Sequence, residues 1–241
     1  MILLVREDRE FLSAPGEEVH TDLGVVEVPA DVAPGDTVES HLGEPFSVRA
    51  LRGPDLFSHF ERTGAPMMPK DVGLIVGHTG AAAGDRVLDA GTGTGVLAAY
   101  LGRLGAEVTT YERDADFADV ARDNMALAEV EDRVTVVTGD IADRAPEVAD
   151  PAFDLLTLDT EDAPTVVEYA PDLLVSGGYL AVYSPFVESA RAVERTARDV
   201  DIASVETVET IQREMDFDDR GSRPSTRGVG HTGYLTFGRV R

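Results

Sequence analysis

The sequence predicts an α/β protein: a doubly wound parallel sheet with a small β-rich domain at its N-terminus. Three observations carry this. From Arg86 onward, short β-branched runs alternate with segments of helical spacing, the pattern of parallel strands with helices on both faces. The run Arg86-Val87-Leu88-Asp89-Ala90 passes straight into Gly91-Thr92-Gly93-Thr94-Gly95, and then into Val96, Leu97, Tyr100 and Leu101 at helical spacing. Before about Leu51, apolar residues come only in short bursts cut by turn signals.

Composition bounds the reading. A chain of 241 residues can form one large domain, or a medium one with a small appendage. It has no cysteine, which excludes disulfides and thiolate metal sites and suits an intracellular, cytoplasmic setting; no metal is expected. The apolar start Ile2-Leu3-Leu4-Val5 is too short for a signal peptide or a membrane span, so no membrane association is expected. Acidic residues number 45 against 21 basic ones, a formal charge of −24, while the 43% hydrophobic content is that of a folded chain. A carboxylate excess of this kind suits a halophilic surface, and activity and stability are expected to require molar potassium chloride. It opposes casual nucleic-acid binding at low salt and carries little information about binding at high salt.

In chain order, residues 1–53 make the β-rich domain, with bursts at Ile2–Val5, Val25–Val28 and Phe46–Val48. Turns fall at Ala14-Pro15-Gly16, Ala33-Pro34-Gly35-Asp36 and Leu42-Gly43-Glu44-Pro45. Residues 54–80 read as linker helices, each with a proline in its first turn, Pro54 and Pro69. The second helix is expected beside the glycine loop, where Met67, Met68 and Lys70 would line one wall of a pocket. Residues 81–241 form the main α/β domain.

A strand, a glycine turn and a helix let backbone approach a ligand without Cβ atoms in the way, and aim helix amides at it. Dinucleotide sites use G-x-G-x-x-G around a pyrophosphate. Here the spacing is G-x-G-x-G and Asp89 precedes it. A carboxylate would repel a phosphate but suits the ammonium and sulfonium of S-adenosylmethionine. The loop therefore predicts a class I methyltransferase of Rossmann-like fold rather than a nicotinamide enzyme. Asp89, Gly91, Thr92, Gly93, Thr94, Gly95 and Val96 are the expected cofactor-binding residues. The second strand, Val108 to Tyr111, ends in Glu112, suited to two ribose hydroxyls, with Arg113 next to it. The helix running to Leu127 and the strand Val134 to Val137 lead to Gly139-Asp140-Ile141. There Asp140 is suited to the adenine amino group and Ile141 to the ring. The strand Phe153 to Leu158 delivers Asp159 to its C-terminal end, where open α/β sheets bind ligands. Asp159 is the expected catalytic residue, facing the methyl acceptor as well as the cofactor. A helix over Glu161–Leu174, a strand over Gly177–Tyr183, a helix over Val187–Val200 and a strand near Ile202–Ile211 follow. A basic, proline-containing loop with Arg213, Arg220, Arg223 and Arg227 then leads to the last strand, Tyr234 to Phe237, and suggests an anion nearby.

With these residues in view, the chain resembles the archaeal and bacterial tRNA (adenine-N1)-methyltransferases that modify the T-loop, nearly end to end. His20-Thr21-Asp22-Leu23-Gly24 is similar to that family's N-terminal signature. Arg62 with Pro69-Lys70-Asp71 resembles its lead-in segment, and Asp89 to Gly95 its E-A-G-T-G-S-G loop. Most distinctive are Arg223-Pro224-Ser225-Thr226 and Gly230-His231-Thr232-Gly233-Tyr234-Leu235-Thr236-Phe237. The resemblance implies methyl transfer from S-adenosylmethionine to N1 of a T-loop adenine in tRNA, giving 1-methyladenosine in one adenine or two neighbours, by a homotetramer. It implies Asp159 as active-site aspartate, Glu112 as ribose ligand and Asp140 as adenine ligand. Met68, Lys70, Arg223 and His231 are the expected substrate-binding residues, with Lys70 and the Arg220 to Arg227 loop as phosphate contacts.

The chain also departs from the family pattern. Ala65 and Met68 stand where the family usually has Gln and Tyr or His, Thr160-Glu161-Asp162 where it tends to have prolines, and Ser189 where it has Gln. Two rival readings share the cofactor loop: a catalytically silent S-adenosylmethionine-binding subunit of a tRNA methyltransferase complex, and a methyltransferase of a protein or small molecule. Retention of Asp159 speaks against the first, the basic C-terminal loop against the second.

Overall fold

A computed structural model describes residues 1–147, 152–228 and 230–241. The N-terminal bursts fold as β1 (Ile2–Arg6), β2 (Arg9–Ser13), β3 (Glu18–Thr21), β4 (Gly24–Glu27), β5 (Thr37–Glu39) and β6 (Pro45–Ala50). Four of them make an antiparallel sheet in the order β2-β1-β6-β5, and β3 and β4 pair as a hairpin. Alternate residues of these strands, including Ile2, Leu4, Val26, Val38, Phe46 and Val48, bury into a small core of their own. Two helices lead out of this region, α1 (Gly53–His59) and α2 (Pro69–Thr79). Leu56 of α1 and Val72 and Ile75 of α2 join the larger core behind the main sheet.

That sheet has seven strands. The chain runs β7 (Arg86–Ala90), α3 (Val96–Leu104), β8 (Glu107–Glu112), α4 (Ala115–Leu127), β9 (Val134–Thr138), α5 (Ile141–Arg144), β10 (Phe153–Leu158), α6 (Ala163–Val167), α7 (Ala170–Leu173) and β11 (Leu174–Ser184). It ends with α8 (Val187–Asp199), β12 (Ala203–Glu209), β13 (Met215–Asp218), β14 (Gly221–Pro224) and β15 (Tyr234–Arg239). Strand order is β12-β15-β11-β10-β7-β8-β9. The five strands from β11 to β9 are parallel, whereas β15 runs antiparallel between β11 and β12. The sheet is therefore mixed rather than wholly parallel. An antiparallel return from β12 to its neighbour β15 needs no crossover helix, and among the described residues no helix lies between them in the chain.

Side chains of period two sort the core onto the two faces. Val87, Val108, Leu155 and Ala181 face the layer containing α2 and α3. Leu88, Leu156, Leu158, Leu180 and Val182 face the layer containing α6, α7 and α8. Complete burial of each of these valine and leucine side chains contributes about 1.5–3 kcal/mol, which makes the central strands a firm base for the residues at their ends.

Two segments differ from the sequence reading. The expected helix over Glu161–Leu174 is two short helices, α6 and α7, because Pro171 cannot donate within a continuous helix and its ring clashes with the preceding turn. The basic loop is in part a hairpin, with Met215 opposite Pro224 and Asp218 opposite Gly221. Among the described residues no helix is long and apolar enough to cross a membrane.

Candidate active site

The C-terminal ends of β7, β8, β9 and β10 open onto one cavity of about 520 Å³. Its floor is the glycine turn between β7 and α3. Gly91 and Gly95 adopt φ of +85° and +83°, which side chains with a Cβ rarely adopt. The turn is also packed too closely for one: a Cβ at Gly91 would lie 2.0 Å from the Asp159 carbonyl oxygen, and one at Gly95 would lie 2.5 Å from Met125 Cε. At Gly93 the nearest atom to such a Cβ is 3.7 Å away, so it would project into cavity space.

Six carboxylates line this cavity, and four of them, Asp89, Glu112, Asp140 and Asp159, stand at or just beyond the ends of these strands. Asp89 is buried, and its oxygens accept from Thr110 Oγ1 (2.6 Å) on one side and Thr157 Oγ1 (2.5 Å) on the other. The two threonines are its register partners on β8 and β10. Thr110 also bonds Thr92 Oγ1 at 2.5 Å, which ties the glycine turn to the same chain of hydroxyls. Burial raises the Asp89 pKa, and the threonine hydrogen bonds oppose that rise. Glu112 accepts from the amides of Gly93 (2.9 Å) and Asp114 (3.1 Å), so it braces the turn from the neighbouring strand. Asp140 caps α5, accepting from Ala142 N at 2.9 Å.

Asp159 lies where the cavity meets the lip of the glycine turn. Its amide donates to the Ala90 carbonyl at 2.8 Å. Burial, and then the neighbouring charge of Asp89, raises its pKa to about 7. Opposite, the segment before α2 forms the rim through Thr63, Ala65, Pro66 and Met67. Asn124 pins this segment to the turn, donating to the carbonyls of Glu61 and Thr94 (both 2.9 Å) and accepting from Glu61 N (3.1 Å).

The cavity thus brings together Asp89, Gly91, Thr92, Gly93, Thr94, Gly95, Val96, Glu112, Arg113, Asp140, Ile141 and Asp159. The four residues expected on the substrate side do not line it. Met68 is held extended by the following Pro69 and turns outward, 39% exposed, while Met67 fills the rim instead. Lys70 points inward to Asp71 and Thr232 rather than out toward a phosphate. Arg223 is exposed on β14. His231 bonds Glu209 Oε1 (2.7 Å) and the Pro185 carbonyl (2.9 Å), and these hydrogen bonds raise its pKa above the ordinary value. Sequence reasoning assigned no role to Thr110, Thr157, Asn124 or Tyr183. A signal existed for Thr157, a polar residue in the buried apolar run Leu155-Leu156-Thr157-Leu158, whereas Thr110 lies in a strand with several polar residues and gives none.

A family model described as the tRNA methyltransferase complex GCD14 subunit matches residues 56–221. The chain belongs to this family. It is 32% identical to the tRNA (adenine(57)-N(1)/adenine(58)-N(1))-methyltransferase TrmI of Methanocaldococcus jannaschii, covering 98% of this chain and 92% of that protein. It is 30% identical to the tRNA (adenine(58)-N(1))-methyltransferase TrmI of Thermus thermophilus, over 98% and 94%. The fold matches a solved SAM-dependent O-methyltransferase of Thermotoga maritima with a TM-score of 0.82 at 25% identity, over 99% of this chain and 92% of that one. It also matches the tRNA (m1A58) methyltransferase TrmI of Aquifex aeolicus with a TM-score of 0.77 at 24% identity, over 99% and 95%.

The cavity's donor set suits a nucleoside that carries a cationic tail. Glu112 and Asp140 offer acceptors at one end, and Asp89 and Asp159 supply negative charge at the other. Among the described residues no group of three or more His, Asp or Glu side chains is arranged to hold a metal ion.

Proposed function

We propose that the protein is an S-adenosylmethionine-dependent tRNA methyltransferase that acts on N1 of a T-loop adenine and yields 1-methyladenosine. The observation that carries this reading is Asp159, a buried carboxylate against the lip of the glycine turn in a chain similar from end to end to two tRNA adenine-N1-methyltransferases. S-adenosylmethionine, when bound, supplies a methyl group on a positively charged sulfur. Asp89, fixed by Thr110 and Thr157, complements the cationic end of that ligand, with Gly91 to Val96 as its backbone cradle. Glu112 takes the ribose hydroxyls, Asp140 and Ile141 the adenine, and Arg113 closes the rim beside them.

Adenine N1 carries its own lone pair, so no base is needed to start the reaction. Positive charge then grows over N1 and the exocyclic amine, and the Asp159 carboxylate stabilises it. A cation bound next to Asp159 favours its ionised form, which offsets the rise caused by burial. The target adenine is stacked in folded tRNA and has to swing out to reach this point. Arg223 and the rest of the hairpin arginines, together with His231, form the outer contacts to tRNA in this reading. Met68, exposed at the start of α2, offers an apolar contact on the same approach.

We further infer a homotetramer, a count taken from the family resemblance and supported by exposed Phe186, Ile211, Met215 and Phe217 on the C-terminal part of the chain. A cytoplasmic, halophilic setting is supported by the charge of −24 and the absence of cysteine. The test is methyl transfer from labelled S-adenosylmethionine to an unmodified tRNA transcript in concentrated KCl, followed by nucleoside analysis. Label in 1-methyladenosine from the T-loop is the expected result. Cofactor binding with no transfer to tRNA would overturn the reading in favour of a silent subunit or another acceptor.

A further inference from the structure

On the face of the sheet covered by α2, a polar cluster stands next to Asp159 but outside the cavity. Lys70 Nζ donates to Asp71 Oδ1 at 2.7 Å and to Thr232 Oγ1 at 2.9 Å. Both charged side chains are nearly removed from water, 12% and 2% exposed. The Tyr183 hydroxyl donates to the carbonyl of the same Thr232 at 2.5 Å. Tyr183 follows Val182, the register partner of Leu158, so it occupies the rung of β11 beside Asp159. Its phenol is pushed above its ordinary pKa by burial and then by the charges of Asp159 and Asp71. The fit is close: a Cβ at Gly233 would lie 2.3 Å from Tyr183 Cζ.

This arrangement is not one that stability alone favours. A buried ion pair must offset the desolvation of both charges, and Asp71 Oδ2 is buried with no hydrogen-bond partner. What the pair supplies is a fixed bond to one distant segment. Lys70 sits in the first turn of α2, Thr232 just ahead of β15, and Tyr183 near the end of β11, so one ammonium and one carbonyl lock three elements together beside Asp159. The oxygen of Tyr183 still has acceptor capacity after donating its proton to Thr232.

We propose that Lys70 is a positioning residue for the methyl acceptor: through Thr232 it holds Tyr183 beside Asp159 as the wall against which the target base comes to rest. This rests on the adenine-N1 reading above. It gives Lys70 a task inside the protein instead of at a tRNA phosphate.

The test uses Thr232→Val and Thr232→Ser in the full-length protein. Valine keeps the shape and the carbonyl that Tyr183 uses but removes the oxygen that Lys70 needs, and serine keeps that oxygen. For Thr232→Val, kcat for tRNA methylation should fall about tenfold while the S-adenosylmethionine Kd stays within about twofold, because misplacement of a reacting group costs rate rather than cofactor binding. Thr232→Ser should restore most of kcat. Lys70→Met should match Thr232→Val in kcat when combined with Asp71→Asn, which avoids leaving a lone buried carboxylate. Wild-type kcat in Thr232→Val would overturn the proposal, as would serine no better than valine or equal losses in kcat and cofactor affinity. If the wild-type protein binds cofactor but methylates no tRNA adenine, the functional reading itself fails, and this proposal falls with it.

Discussion

The two ends of the site are built on opposite plans. At the cofactor end, Asp89, Glu112 and Asp140 each stand at or just beyond a strand's end, and each is braced by a neighbouring strand or by an amide a few residues away. At the end proposed for the methyl acceptor, Lys70, Tyr183 and Thr232 come from three distant segments and meet only in the folded molecule. Asp159 lies at the boundary, its backbone against the glycine turn and its rung beside Tyr183. With the roles proposed above, the contrast predicts that affinity and transfer are separable in this protein. Changes at the first end should appear in cofactor binding, and changes at the second in the rate of transfer at unchanged affinity.

Asp159→Asn is the strongest way to break that separation. Transfer should fall by about 10²–10³-fold, the usual cost of removing a group that stabilises developing charge, with cofactor affinity weakened by only about a few-fold, since Asp89 keeps its charge beside the cationic tail. The same substitution should raise Tm at about pH 8, because the unfolded chain ionises this group near its ordinary pKa and the folded chain only near 7. A raised folded-state pKa means that the stability due to this group is complete below about pH 4 and is lost as pH rises through about 7. Asparagine carries no such charge, so the loss disappears. In the wild type, kcat/KM should decline as pH falls below about 7, since that ratio reports ionisation in the free enzyme. A flat profile, or cofactor binding abolished in Asp159→Asn, would place Asp159 with the cofactor-end groups.

The same contrast explains what was legible in the sequence. The glycine turn and the acids around it lie at fixed offsets from strand ends, so reading the strands in order was enough to bring Asp89, Glu112, Asp140 and Asp159 to one cavity. The parallel part of the sheet was readable for the same reason. The acceptor side was not. Whether Met67 or Met68 faces inward depends on the backbone angle imposed by Pro69, and whether Lys70 turns in or out depends on Thr232, 162 positions away. The role of Thr110 and Thr157 needed the register of β7 with its two neighbours, which no single strand contains. The break between α6 and α7 was within reach, since Pro171 stands inside the stretch read as one helix.

Glu112→Gln should have the next largest effect, and only on affinity. The carboxylate holds the amides of Gly93 and Asp114. An amide side chain retains one acceptor oxygen and turns donors toward what was an acceptor site, so the turn loosens and ribose recognition weakens together. The Kd for S-adenosylmethionine should rise about tenfold, in line with the loss of charge-assisted hydrogen bonds, while kcat at saturating cofactor remains near the wild-type value. A fall in kcat with unchanged Kd, measured by titration calorimetry beside steady-state kinetics, would mean that the two ends are coupled through the glycine turn.

Arg113 should show the smallest effect, and its size depends on salt. It follows β8 and pairs across the cavity rim with Glu161 (2.7 Å) and Asp162 (3.5 Å), which follow β10. All three side chains are exposed, at 57%, 72% and 41%. Exposed pairs of this kind contribute little, so Arg113→Ala should weaken cofactor binding by less than about threefold at low ionic strength. The difference should vanish in roughly 1 M KCl, where charges are screened within about 3 Å. A loss of about tenfold that persists at high salt is too large for an exposed pair and would mean direct contact of Arg113 with the cofactor. It would then belong with Glu112 among the affinity-setting groups. A salt-sensitive loss instead marks it as a strap between the two strand ends, one that a chain with 45 acidic residues would lose in concentrated salt without losing its cofactor.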